Sequence, residues 1–394
     1  MPVLPGAPEV PEVPEVPEVA GVAGLPEVAG LREVAGLPEV AGLREVAGVR
    51  ETTRQDASPA PALVVSSPGV VSLEQRGRPV PGPGEVLIQP AAVGLCGTDL
   101  DILAGRIDPA YVRYPLVLGH EWSGTVLASE SGVLPPGTRV VAEGIVPCGH
   151  CAACRAGQTN LCSTYDEVGF TRDGAAAGYA VVGEALVHPL AAPVSTADGA
   201  LVEPASVVYR GLASITVEPG SRALVVGDGT VALLAAALLG LWSPAEIVML
   251  GRRPEQKALA ATAGAARFET DPDAAGGGYD LVVEAAGTTG AVLTALAAAR
   301  RGGTVLLLGL PPHGATAAVP VDDLVNNDLT IRASFGYTSD AWRDVVRLLN
   351  AGRLELGFLV THRFPLGEWA AALDTLRSQD PGAPRGKVLL TLPG

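Results

Sequence analysis

Four cysteines fall within fifteen residues of this chain: Cys148, Cys151, Cys154 and Cys162, spaced C-x2-C-x2-C-x7-C in the run CGHCAACRAGQTNLC. Four thiolates in one loop complete a tetrahedral zinc and leave no coordination position for chemistry, so the metal they predict is structural. His150 lies inside the loop. Four sulfurs already close the metal's shell, so His150 reads as a loop residue and not a ligand. Clustered, metal-spaced cysteines point to a reducing compartment, the cytoplasm, rather than to a disulfide framework. Local disulfide pairing would also leave the fifth cysteine, Cys96, over.

Cys96 stands upstream in LCGTDLD, and GHEWSG, Gly119 to Gly124, supplies His120 and Glu121. A catalytic zinc keeps three protein ligands and one open position for water or substrate. Cys96 and His120 suit such an ion. Glu203, in ALVEPAS, is the expected third ligand, because it lies where a β-rich lobe gives way to a nucleotide-binding one. Glu121 could exchange with solvent in the same shell. Taken singly, a lone cysteine is usually a small buried hydrophobe, and His120 reads equally as a hydrogen-bonded core residue. What favours ligands is their joint order with the cysteine loop and the motif that follows.

That motif is GDGTVA, Gly227, Asp228, Gly229, Thr230, Val231 and Ala232, directly after the apolar run ALVV and opening a helix pattern. It is the dinucleotide fingerprint in its required context. Gly227 makes the tight turn, Gly229 admits the pyrophosphate, and Ala232 allows close helix–strand packing. The helix N-terminus offers free N–H groups to the phosphates. About twenty residues on, an NAD site carries Asp or Glu for the ribose 2′-OH. Here Gly251, Arg252 and Arg253 follow EIVML. Gly251 leaves room where that carboxylate would stand, and arginine binds a 2′-phosphate bidentately. NADP is therefore expected in preference to NAD. The plainer reading is two solvated arginines at a helix start.

The elements that must position these groups are legible in texture. Residues 1–60 repeat PEV, then AGLPEV and AGLREV, too rich in proline for a long helix and without aromatic residues for a core. They read as a disordered, acidic tail. From about Ala60 short strand patterns separated by Gly/Pro turns describe a β-rich lobe over residues 61–206. Strand–helix alternation over residues 207–335, from SRALVVGDG to TVLLLGL, describes a doubly wound parallel sheet. Residues 336–394 are expected to return to the first lobe. A net charge of −15 and a pI near 4.8 exclude a phosphate-backbone partner. No apolar run reaches membrane length, and the N-terminus lacks a signal-peptide pattern.

CGTD, GHEWSG, the cysteine loop, LVEPAS and GDGTVA occur together and in order. On these motifs, residues 61–394 resemble the zinc-containing medium-chain dehydrogenase/reductase family. The resemblance implies a GroES-like catalytic domain and a Rossmann domain, with the active site in the cleft between them. It implies a catalytic zinc on Cys96, His120 and Glu203, with Glu121 as an alternate ligand, and a structural zinc on the four loop cysteines. A glutamate at position 203 is similar to the sorbitol and threonine dehydrogenase branch. The implied substrate is a small secondary alcohol (a polyol, sugar, cyclitol or amino alcohol), and the implied assembly is a homodimer or homotetramer. Thr98 matches the hydroxyl that begins the family's proton relay. Asp101 stands where many members carry the relay's final histidine, which leaves the last acceptor a carboxylate or bulk water.

The reaction so implied is zinc-assisted hydride transfer to or from the nicotinamide. One rival is an NADPH-dependent carbonyl reductase of the same fold. Another, from a different class, is a non-catalytic zinc protein, which has no need of an open ligand set beside a dinucleotide fingerprint.

Overall fold

Four apolar runs that lead into glycine, flanked by two short edge strands, form a six-stranded parallel sheet between residues 222 and 333 in a computed structural model that describes residues 58–378 and 383–392. The strand order is Arg267–Glu269, Glu246–Leu250, Arg222–Val226, Tyr279–Glu284, Ala299–Leu307, Thr330–Ala333. Every neighbouring pair is parallel. Leu224, Val225, Val282 and Val283 are buried whichever face they occupy, as expected of strands covered on both sides by helices. The helix Thr230–Leu239 buries seven of its ten residues, Ala232 among them. The repeat segment expected to be disordered lies outside the described residues up to residue 57, and Ala60 already opens a strand.

The β-rich lobe holds two sheets. One orders Val70–Arg76, Ala60–Ser67 and Leu116–Val117. The other runs Val360–Pro365, Lys387–Thr391, Glu85–Leu95, Glu121–Ser129, Arg139–Ala142, Val187–Pro189, and Ala180–Gly183 also pairs with Glu85–Leu95. The last strand of the chain is antiparallel to Glu85–Leu95, with Val388 opposite Leu95. That register sets Lys387 beside the start of the Cys96 segment. Glu121 sits opposite Gly94 in the same sheet.

The helix Val202–Ala213 joins the two halves. Val202, Ala205, Val208 and Leu212 share one apolar cluster with Val141 and Ile145 of the β lobe and with Val225 and Leu306 of the parallel sheet. The boundary expected between residues 206 and 207 falls inside this helix. The chain also returns at Tyr337, whose hydroxyl oxygen accepts from Gly144 N at 2.7 Å and Ile145 N at 3.0 Å.

Candidate active site

Cys96 follows the strand Glu85–Leu95 and caps the helix Gly97–Leu103. Its sulfur accepts from Thr98 N at 3.2 Å, and its own N–H donates to Asp99 Oδ2 at 2.8 Å. This reciprocal capping box, with sulfur in the usual place of a hydroxyl, fixes where the thiol points. His120 precedes the strand Glu121–Ser129. Gly119 before it has φ +105, and a Cβ there would come within 2.8 Å of Ala176 N, so only glycine lets the loop close behind the imidazole. Cys96 Sγ lies 3.3 Å from His120 Nε2, and Asp99 Oδ1 lies 3.5 Å from His120 Nδ1. Asp99 was not legible as a site residue, although an acid three residues after a cap is the signal that would have found it.

Glu203 opens the helix Val202–Ala213 and points to the same centre. Ligand atoms of His120, Glu121 and Glu203 lie within 4.8 Å of one another, and so do those of Cys96, Asp99 and His120. His120 is common to both groups. Glu121 is ion-paired with Lys387, both side chains buried, and Lys387 Nζ also donates to Leu95 O at 3.2 Å. Lys387 escaped sequence reasoning because 266 residues separate it from Glu121. Gly94 is required here, since a Cβ would collide with Glu121 Oε2. Trp122, the next residue along the strand, is fully buried in the β-lobe core.

The electrostatics fit a cation. Burial raises the Glu203 carboxyl to about 8; the charges of Glu121 and Glu167 add to that rise, while His120 and Lys387 oppose it. Burial disfavours the His120 imidazolium, yet the charges of Cys96 and Asp99 lift His120 well above its ordinary value. Burial likewise works against the Lys387 ammonium, which Glu121 and Cys96 nonetheless hold protonated. A part-buried thiol, a buried imidazole and a part-buried carboxylate crowded together are the donor set of an open zinc site. The Asp99 carboxylate behind Nδ1 is the orienting partner such a histidine needs, and Asp99 Oδ1 has no hydrogen bond among the described residues.

The loop cysteines are also brought together. Their four sulfurs lie within 4.8 Å of one another, with Cys148 and Cys154 4.0 Å apart. A zinc tetrahedron with bonds of about 2.3 Å has edges of about 3.8 Å. Backbone N–H groups of Cys148, Cys151, Cys154 and Thr164 donate to sulfur at 3.3–3.4 Å, which favours thiolates. Donation from Ser163 and Cys154 lowers the Cys151 thiol to about 5, whereas burial and neighbouring thiols push Cys154 up to about 12. Only a cation lets all four ionise together. His150 turns Nδ1 to Cys148 O at 2.8 Å, away from the sulfurs.

At the sheet's carboxyl edge, Gly227 has φ +132, and a Cβ would come within about 3.0 Å of Ala285 C. A Cβ at Gly229 would meet nothing within 4 Å, and Gly229 gives the helix Thr230–Leu239 no side-chain cap. Open space and uncapped N–H groups are what a pyrophosphate cradle at a helix N-terminus requires. Thr230 Oγ1 donates to Gly386 O at 3.2 Å, and Val231 packs on the core. The room expected at Gly251 is already filled: a Cβ there would lie 2.6 Å from both Asp228 Cβ and Phe268 Cζ. Asp228 holds Arg253 in a salt bridge of 2.9 Å. Gln256 and Arg385, both unremarked in the sequence, complete this corner through Gln256 Nε2 to Asp228 O at 2.6 Å and Arg385 N to Gln256 Oε1 at 2.8 Å. Asp101 lies apart, on the outer face of its helix, with Oδ1 accepting from Arg106 Nε at 2.8 Å.

Comparison with known proteins follows the same division. Residues 82–192 match the alcohol dehydrogenase GroES-like domain, and residues 227–351 match the zinc-binding dehydrogenase domain. The chain is 33% identical to sorbitol dehydrogenase of Gallus gallus over 80% of this chain and 93% of that one. A zinc-binding dehydrogenase of Sinorhizobium meliloti 1021, solved with NADP, superposes with a TM-score of 0.78 at 29% identity, covering 85% of this chain and 99% of that one. An alcohol dehydrogenase of Escherichia coli CFT073, solved with NADH, superposes at 0.77 and 26% identity, covering 85% and 99%.

Proposed function

This chain belongs to the zinc-containing medium-chain dehydrogenase/reductase family, and on that premise we propose that its substrate is a polyol or a sugar-derived secondary alcohol. It is an oxidoreductase that transfers hydride between a secondary alcohol and a nicotinamide cofactor. The observation that carries the site is the convergence on His120 of Cys96 from one side and Glu203 from the other.

We assign Cys96, His120 and Glu203 as the ligands of the catalytic zinc, with Glu121 as an exchanging one, and the four loop cysteines as those of a structural zinc. Bound there, zinc supplies a Lewis acid for the substrate oxygen and the nicotinamide supplies the hydride site. Cys96 is aimed by its capping box and His120 by Asp99. Lys387 neutralises Glu121 and holds it at rest. Thr98 starts the proton's path out of the site, toward the surface where Asp101 sits with Arg106. Gly227, Gly229, Thr230 and Val231 shape the pyrophosphate cradle.

NADP is the proposed cofactor, because Arg252 and Arg253 follow the strand Glu246–Leu250, after which an NAD site carries an acid instead. Solved neighbours hold NADP in one case and NADH in the other, so family membership does not make this choice. A homodimer or homotetramer is proposed because the edge strand Thr330–Ala333 is exposed, and so are Leu310, Val321, Val325 and Phe335. An open apolar edge invites pairing. The cytoplasm is the proposed compartment, because the loop thiolates need reducing conditions. No helix among the described residues is long and apolar enough to cross a membrane.

The test is metal analysis together with a screen of polyols, cyclitols and amino alcohols with both cofactors. Two zincs per chain and turnover of a polyol support the reading. One zinc, lost only when a loop cysteine is replaced, would overturn the catalytic site.

A further inference from the structure

Asp228 occupies the first variable position of the fingerprint, where any residue fits the turn, and its hydrogen bonds are unusual in number. Oδ2 accepts from Arg252 N at 2.8 Å and Arg253 N at 3.0 Å. Oδ1 accepts from Arg253 Nε at 3.2 Å and Nη2 at 2.9 Å. The backbone carbonyl accepts from Arg253 Nη2 at 2.9 Å and Gln256 Nε2 at 2.6 Å. A carboxylate offers about four lone-pair sites, so four donors saturate it. Burial disfavours the ionised form, yet the hydrogen bonds from Arg253 and Arg252 hold the carboxyl below its ordinary value.

Two consequences follow. A saturated carboxylate has no acceptor left for a ribose hydroxyl, so Asp228 cannot take the part of the acid in an NAD site even though it stands beside Gly251. Meanwhile Arg253 spends three of its five N–H donors on Asp228. The two on Nη1, and the guanidinium of Arg252, have no hydrogen-bond partner among the described residues. The strands Arg222–Val226 and Glu246–Leu250 run parallel with Val226 opposite Leu250, so residues 251–253 follow the strand end that borders the crevice where dinucleotides bind. Arg385 stands close enough to feel the charges of both Arg253 and Asp228, which adds positive charge to the corner.

We propose that Asp228 is the positioning residue for cofactor choice: it clamps the 251–253 turn and one edge of Arg253, so that the remaining guanidinium donors meet a 2′-phosphate. This rests on the NADP reading above. On charge alone Asp228 would instead act as a neighbouring anion that weakens phosphate binding. The two roles predict opposite signs for the isosteric variant. In Asp228→Asn an NH2 group replaces one acceptor oxygen and faces donors on whichever side it lies. The clamp then opens, although the corner becomes more positive.

The experiment is calorimetric titration of the full-length zinc-loaded enzyme with adenosine 2′,5′-bisphosphate and with 5′-AMP, which differ only in the 2′-phosphate. Wild type is expected to bind the bisphosphate roughly ten- to a hundredfold more tightly, the range of a charge-assisted hydrogen bond. Asp228→Asn should cut that ratio by about tenfold. Arg253→Lys, which keeps the charge but cannot bridge Asp228 through Nε and Nη2, should cut it similarly and serves if the first variant fails to fold. An unchanged or larger ratio in Asp228→Asn overturns the clamp and leaves the NADP reading standing. Equal loss of both nucleotides also overturns it, because Asp228 would then support the whole turn and not the choice. A wild type that does not discriminate removes the NADP reading and the clamp with it.

Discussion

Replacing Lys387 with Met should destabilise this enzyme sharply, because it strands one member of a buried ion pair. The side chains of Lys387 and Glu121 are 1% and 2% exposed. Removing the ammonium leaves Glu121 without a counter-charge beside the Cys96 thiol and the Glu203 carboxyl, and leaves Leu95 O without its Lys387 donor. Breaking one side of a buried pair costs about 3–5 kcal/mol. At roughly 2–4 °C per kcal/mol for a large domain, the melting temperature should fall by about 10 °C. Glu121→Gln alone should cost a similar amount, because it strands the ammonium instead. The double variant replaces both charges by neutral groups, and replacing a buried ion pair outright is often neutral. It should therefore recover at least ~2 kcal/mol relative to the sum of the singles. The assay is a double-mutant cycle of melting temperatures and urea midpoints at fixed zinc. If the double variant loses the full sum, the two residues act independently and the pairing argument fails.

Three further outcomes are expected. Cys96→Ala or His120→Ala should abolish turnover and lower zinc content by one per chain while leaving the melting curve largely unchanged; full activity in either removes the catalytic-zinc assignment. Cys151→Ser should release the loop zinc and lower the melting temperature before it lowers activity, since a closed metal site contributes directly to folding; zinc loss without a change in melting counts against a structural role. Metal-stripped enzyme should take up catalytic zinc more tightly as pH rises toward 8, because burial raises the Glu203 carboxyl to about 8 and zinc must displace its proton. Competition against a chelator from pH 6 to 9 reads this directly; Glu203→Gln should show a shallower pH dependence, because Cys96 and His120 still give up protons to the metal.

What the sequence determined by itself is whatever is local in the chain. The four loop sulfurs span fifteen residues, and a C-x2-C-x2-C turn can bring them together with little help from elsewhere. Gly227 is demanded by a single strand-to-helix turn, and Gly229 keeps the space beside that turn open. The parallel sheet was legible because a strand covered on both faces must be apolar throughout, and this leaves runs such as ALVV and LVVEA in the text. Cys96, His120 and Glu203 could be named, but as a joint pattern, since no spacing rule links residues so far apart.

Tertiary structure alone decided what those residues touch. Glu121 meets Lys387 because the final strand lies antiparallel on Glu85–Leu95, and a lysine opening an apolar strand does not disclose which carboxylate it will find. Asp99 became a partner of His120 only when a helix cap and a strand start were packed together. The space at Gly251, open on paper, is filled by Asp228 and Phe268 from neighbouring strands and turns. The helix bearing Glu203 runs through the expected boundary because one apolar cluster, with Val141 on one side and Leu306 on the other, covers it from both lobes. Backbone turns and metal loops are set by short-range sterics that each residue carries with it. Buried charge pairing and filled space depend on which surfaces come to face each other, and that is fixed only when the whole chain has folded.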